Sequence, residues 1–181
     1  WNSPHNNRAH ALFYSGKVEE AISVSEAVLA REAENVFALS GLVTYHLGVN
    51  QPERAHDYAS RLGQLFKKIP ADGMEIEMVI SALALVEDTP TLWKISKSFQ
   101  DAPSDSLFGR SWYCLAVAAI RSGKWKDALN LLEKADEEDL PPAGKSLLEK
   151  LRTVAVQRHP SLTWMPPAYP GADLFFHPKV L

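Results

Sequence analysis

One stretch near residues 112–132 constrains the fold more than any other part of this sequence. Trp112 and Leu115 are three residues apart, so they share one face of a helix. Gly123 follows as a residue that accepts the left-handed conformation of a helix end. An apolar period then resumes at Trp125, Ala128, Leu129 and Leu132. The stretch predicts a helix hairpin whose single apolar seam must be buried by neighbouring helices.

A second segment repeats this pattern near the start of the chain. Residues 16–22 and 123–129 share the same order of residue types: glycine, lysine, apolar, two polar, alanine, apolar. Gly48 lies 32 residues after Gly16 and 75 residues before Gly123, close to two further units. We expect Gly48 to end a helix, with a bend to Ala55 two residues longer than the bend from Gly16 to Ala21. The spacing predicts one less regular hairpin between Gly48 and Gly123.

The pattern resembles the tetratricopeptide repeat. The matching positions are Trp112, Leu115, Gly123, Ala128 and Leu132. Ala116, Ala119 and the lack of a closing Pro near Glu138 depart from it. The resemblance implies an all-α, right-handed superhelical solenoid of helix-turn-helix hairpins. It also implies a concave groove, lined by the first helix of each hairpin, that binds a peptide or a partner helix.

The apolar periods divide residues 1–158 into four hairpins and a capping helix. Their predicted bounds are about 4–33, 34–70, 72–101 and 105–138, with the cap at 142–158. The third hairpin lacks a glycine and a small alanine at its bend, so it is only repeat-like. The cap has one apolar and one charged side, as the end of a stacked array requires.

Residues 159–181 form a tail of different composition. Five prolines predict an extended, partly polyproline-like chain. The tail also carries large apolar side chains, which a disordered linker rarely contains, including Trp164, Tyr169, Phe175 and Phe176. We predict that these four side chains pack on the repeat domain of the same chain or of another copy, which would form a homo-oligomer through the tail.

The resemblance places eight side chains on the groove. They are Asn6, His10, Tyr14, Tyr45, His46, Arg110, Tyr113 and Arg121. Aromatic and arginine side chains on a rigid concave face suit peptide capture. For Tyr45 and Tyr113 a second interpretation stays open, in which they pack between helices. The paired cations of the related chaperone-tail clamp are missing at the matching positions, so we do not expect that ligand.

Composition and motifs argue against several other classes. The net charge of −3 gives no basic footprint for nucleic acid, although an RNA-binding helical repeat remains a distant alternative. The sequence has no glycine-rich phosphate loop, nucleophile elbow or histidine pair with metal-ligand spacing, so we expect no enzymatic activity, cofactor or metal. No apolar run approaches the roughly 20 residues of a membrane-spanning helix. The lone Cys114 is expected to be a buried, inert thiol.

These observations favour a protein-interaction scaffold or adaptor that binds a peptide or partner helix in its groove. The alternative is a structural subunit that docks into a larger complex through its tail. We expect a cytoplasmic location, which a single cysteine fits. The sequence begins at Trp1 and not at Met, so a targeting segment could be missing from it.

Overall fold

A computed structural model describes residues 4–70, 73–135 and 142–157. Within these ranges all regular structure is helical. The α-helices are α1 (Pro4–Tyr14), α2 (Val18–Leu29), α3 (Val36–Gly48), α4 (Pro52–Leu65), α5 (Met74–Leu85), α6 (Thr89–Ser96), α7 (Gly109–Arg121), α8 (Trp125–Lys134) and α9 (Pro142–Gln157). Short 3₁₀ turns follow α4 and α6 and precede α7. No helix in the described ranges has the length and apolarity to cross a membrane. The all-α prediction is confirmed.

The described chain forms two compact units that meet in sequence between Val86 and Glu87. Helices α1–α5 belong to the first unit and helices α6–α9 to the second. The predicted third hairpin therefore has one helix in each unit, and its pairing stays a prediction. The predicted tail, with Trp164, Tyr169, Phe175 and Phe176, lies outside the described residues.

Four residues with positive φ mark the bends that follow α1, α3, α5 and α7. They are Gly16 (φ 79°), Asn50 (φ 55°), Glu87 (φ 57°) and Gly123 (φ 69°). They lie 34, 37 and 36 residues apart, so the repeat spacing is more regular than the glycines indicate. The fifth residue after each is buried: Ala21, Ala55, Leu92 and Ala128.

Gly48 ends its helix as expected, but the expectation of a longer bend after it is wrong. Gly48 is the last residue of α3, and Asn50 takes the left-handed conformation. The bend to Ala55 therefore has the same length as the bend from Gly16 to Ala21. A Cβ on Gly48 would lie 3.1 Å from Cε2 of Phe13, so the close approach of that ring favours glycine here.

Three of the bends share one hydrogen-bond pattern. The N–H of the residue after the left-handed position donates to a carbonyl five residues back: Lys17 to Leu12 (2.9 Å), Gln51 to His46 (2.8 Å) and Lys124 to Ala119 (2.8 Å). The left-handed residue itself donates to the carbonyl three residues back, as in Gly16 to Phe13 (3.0 Å). This pair of bonds is the Schellman motif, which satisfies the last carbonyls of a helix. The three bends are therefore structurally equivalent.

In the first unit, α3 and α5 each pack on both helices of the hairpin before them. Helix α3 contacts α1 and α2 as well as its partner α4, and α5 contacts α3 and α4. Fully buried small side chains, Ala21 and Ala55, lie on the second helix of each hairpin and let the backbones approach. The result is a layered arrangement in which α1, α3 and α5 are successive neighbours.

The second unit is built around α7, whose residues 111–120 are all buried. Helix α7 packs against α6 and α8, and α9 packs against α8. The Arg152 guanidinium on α9 donates to the carbonyls of Leu132 (3.2 Å) and Ala135 (3.3 Å) at the end of α8. Helix α9 therefore covers the last helix of the preceding hairpin, at the predicted position of the cap.

Candidate functional site

A cleft of about 150 Å³ opens on the face that α1, α3 and α5 share. Its lining residues are Asn6, Asn7, His10, Phe37, Ser40, Gly41, Thr44, Tyr45 and Met78. All of them belong to the first compact unit. The cleft thus collects side chains from the first helix of one hairpin, the first helix of the next, and α5.

The side of α3 that faces the cleft is set by local sequence. Phe37, Gly41 and Thr44 are spaced four and three residues apart, so they lie on one helix face. Asn35 starts the helix: its side-chain oxygen accepts a hydrogen bond from the Ala38 N–H at 2.9 Å. The same oxygen accepts from the Asn6 amide at 3.3 Å. This bond fixes the start of α3 against α1 at one end of the cleft.

Tyr45 forms the floor of the cleft. Its ring folds back over Gly41, where an added Cβ would lie 3.0 Å from the hydroxyl oxygen. On its other side the ring packs against Phe13, with centroids 4.9 Å apart. Burial raises the pKa of Tyr45 to about 12, with a smaller contribution from Tyr14. The hydroxyl is therefore protonated at neutral pH and is available as a hydrogen-bond donor.

The Tyr45 hydroxyl is the most informative atom of the site. The side chain is 2% exposed, and no hydrogen bond joins its hydroxyl to any residue that the structure describes. The oxygen itself is not fully enclosed, so it can donate to water in the open cleft or to a ligand group that replaces that water. Since Tyr45 and Gly41 both line the cleft, the hydroxyl is placed to bond a group that enters it.

His10 lies at the α1 side of the cleft. Its ring makes an edge contact with Tyr14, with centroids 4.7 Å apart. Partial burial lowers the pKa of His10, so its imidazole is neutral at neutral pH. The ring then offers one donor and one acceptor nitrogen instead of a positive charge.

The lining is therefore polar but uncharged at neutral pH. Two amides, a neutral imidazole and three hydroxyls surround Phe37 and Met78. The volume is well below the roughly 300–1,000 Å³ of a pocket that encloses a small molecule. The cleft has room for a single side chain or a turn of backbone, and its groups match amide and carbonyl partners.

The structure brings together three of the predicted groove residues, Asn6, His10 and Tyr45. Tyr14 is 52% exposed beside them. His46 is elsewhere: it is 1% exposed, its ring stacks on Tyr58 with centroids 5.5 Å apart, and its Nδ1 lies 2.9 Å from Gln51 Oε1. For His46 the contacts are those of a core side chain.

The other three predicted groove residues lie in the second unit. Tyr113 is fully buried on α7, and this burial raises its pKa. The burial of Tyr113 supports the packing interpretation for that side chain, whereas Tyr45 packs on Phe13 and also lines the cleft. Arg121 forms an ion pair with Glu87 at 3.2 Å, and Arg110 is half-buried near the start of α7.

Several cleft residues were not foreseen. They are Asn7, Phe37, Ser40, Gly41, Thr44 and Met78. On the same helix, Ala38 and Leu42 are buried. A usable signal was present, since Ser40, Gly41 and Thr44 form the least apolar side of an otherwise apolar helix.

No cluster of three potential metal ligands occurs within the described ranges. No protein-family model, curated protein or solved structure matches this chain.

Proposed function

We propose that this chain is a non-enzymatic protein-interaction scaffold with a tetratricopeptide-like solenoid, and that the cleft on α1, α3 and α5 binds an uncharged, extended segment of a partner protein. The carrying observation is the Tyr45 hydroxyl, which belongs to a side chain that lines the cleft and has no hydrogen-bond partner among the described residues. A main-chain carbonyl of the partner would accept its proton.

Two further features support this ligand class. Asn6, Asn7 and the neutral His10 offer both donors and acceptors, which suits peptide groups and gives no preference for charge. Phe37 and Met78 add apolar and polarizable surface for one partner side chain. The cleft is small, so we expect it to be one contact of a longer binding surface.

The layered helices support the scaffold part of the proposal. Three bends share the same hydrogen bonds, and α1, α3 and α5 are neighbours along one face. A rigid face of this kind presents fixed side chains and loses little conformational entropy on binding.

A random-peptide display selection on the full chain tests the proposal. Selected peptides should lose at least tenfold in affinity for Ser40→Arg, whose long side chain fills the cleft, since one lost hot-spot contact costs about 2 kcal/mol or more. Ser60→Arg, at an exposed position on α4, is the matched control and should bind normally. Failure to select any peptide, or selected peptides that bind Ser40→Arg as well as the parent, would refute it.

A further inference from the structure

A second groove lies on the first hairpin, on a different side of α1. Its volume is about 230 Å³, and it is lined by His5, Arg8, Val24, Ala27, Val28, Arg31 and Glu32. Only α1, α2 and the residues directly after α2 contribute to it. No other helix in the described part of the chain lines it.

The groove combines an apolar floor with a basic rim. Val24, Ala27 and Val28 of α2 form the floor, and Val24 is only half-buried. Arg8 and Arg31 are both exposed, and neither forms an ion pair with a residue that the structure describes. The carboxylate of Glu32, the one acidic group of the lining, accepts a hydrogen bond from the Asn35 amide at 2.7 Å. The groove therefore suits an apolar segment that carries a negative charge.

One segment of this chain outside the described residues has this chemistry. Asp173 is the only acidic residue in 159–181, and it directly precedes Leu174, Phe175 and Phe176. No other part of the tail has three consecutive large apolar side chains. A carboxylate followed by such a run matches a basic rim beside an apolar floor.

We propose that residues 173–176 of the tail dock in the α1/α2 groove, with Asp173 between Arg8 and Arg31 and a phenylalanine on the valine floor. Arginine is well suited to this role, because its planar guanidinium binds carboxylates in a fixed geometry. The docked segment covers apolar surface that the hairpin otherwise exposes. This proposal does not depend on the peptide cleft, which uses other residues of α1.

Chymotrypsin cleavage after Phe175 and Phe176 tests the docking in the full chain. We expect slow cleavage of the parent. R8E/R31E and D173R should each be cleaved roughly fivefold faster or more, the change expected when an ion pair worth about 1 kcal/mol is lost. The triple variant R8E/R31E/D173R should regain protection, because the charges are exchanged. K124E/K126E, with both charges in the second unit, is the matched control and should be cleaved like the parent.

Three results would overturn the proposal. The first is fast cleavage of the parent, which would mean that the segment is not docked. The second is protection that R8E/R31E leaves unchanged, or that the triple variant does not recover, which would place the segment elsewhere. The third is protection that disappears on dilution, which would make the occupant the tail of a second copy.

Discussion

The ring of Tyr45 lies directly over the Cα of Gly41, four residues earlier on the same helix. A Cβ at position 41 would be 3.0 Å from the Tyr45 hydroxyl oxygen and 3.1 Å from two ring carbons. Such contacts are tighter than packed side chains normally allow. Glycine is thus favoured at this position by a side chain of its own helix, while its φ is that of an ordinary helical residue.

Gly41→Ala should therefore lack the usual gain of replacing a helical glycine. Alanine favours a helix interior by about 1 kcal/mol over glycine. We expect the displaced Tyr45 ring to remove this gain, so that the variant is no more stable than the parent in urea unfolding. In a Tyr45→Leu background the same substitution should become stabilising. A gain of about 1 kcal/mol in the parent itself would show that the ring moves without cost.

Glu87 should be the least favourable of the four left-handed bend residues. A side chain with a Cβ costs roughly 1–2 kcal/mol in this conformation, and glycine does not incur that cost. Both Glu87→Gly and Glu87→Ala lose the ion pair with Arg121, so the two variants differ only in the backbone cost. The unfolding free energy of Glu87→Gly should therefore be about 1 kcal/mol higher than that of Glu87→Ala. Equal stability of the two variants would indicate that the bend relaxes. Asn50 tolerates this conformation better, so Asn50→Gly should give the smaller gain.

Lys134 should be the most important lysine of the second unit. Its ammonium donates to the carbonyls of Phe99 (3.1 Å), Gln100 (2.5 Å) and Ala102 (2.8 Å). These three carbonyls lie in the connection between α6 and α7. It also lies 5.1 Å from the centre of the Trp112 ring. Lys134→Met should lower the unfolding free energy by about 1.5–3 kcal/mol, because charged hydrogen bonds are lost while the carbonyls stay in place.

Two variants control the Lys134 result. Lys126→Met changes an exposed lysine of the same helix and should alter stability by less than about 0.5 kcal/mol. Lys134→Arg keeps the charge, but a planar guanidinium cannot direct its donors as a tetrahedral ammonium does, so it should restore only part of the loss. Equal effects of Lys134→Met and Lys126→Met would contradict the role of the three carbonyl bonds.

Alkaline pH should destabilise the first unit through Tyr45. Its pKa rises from 10.0 unfolded to about 12 in the folded chain, so the neutral form is favoured in the folded state. The resulting stability is fully present below pH 10 and is lost as the pH rises towards 12, with a slope of up to about 1.4 kcal/mol per pH unit. Urea unfolding at several pH values should show a shallower loss for Tyr45→Phe than for the parent. Parallel curves would contradict the shifted pKa.

The sequence alone predicted two of the four bends between helices. The predicted bends at Gly16 and Gly123 agree with the structure, because caps and apolar periods act within a few residues. The sequence did not predict that Asn50 and Glu87 take the same left-handed conformation as Gly16 and Gly123. Glycine favours a left-handed bend, but other residues can adopt one. Gly48 does not form such a bend, and glycine is favoured there because the ring of Phe13 leaves little room for a Cβ.

The tertiary structure decided which side of α3 is open. This helix is apolar on nearly every side, so its sequence does not define a single buried stripe. Contacts with α1, α2, α4 and α5 bury Ala38 and Leu42 and leave Ser40, Gly41 and Thr44 facing the cleft. The candidate site depends on this packing, because the neighbouring helices determine which face of α3 remains open.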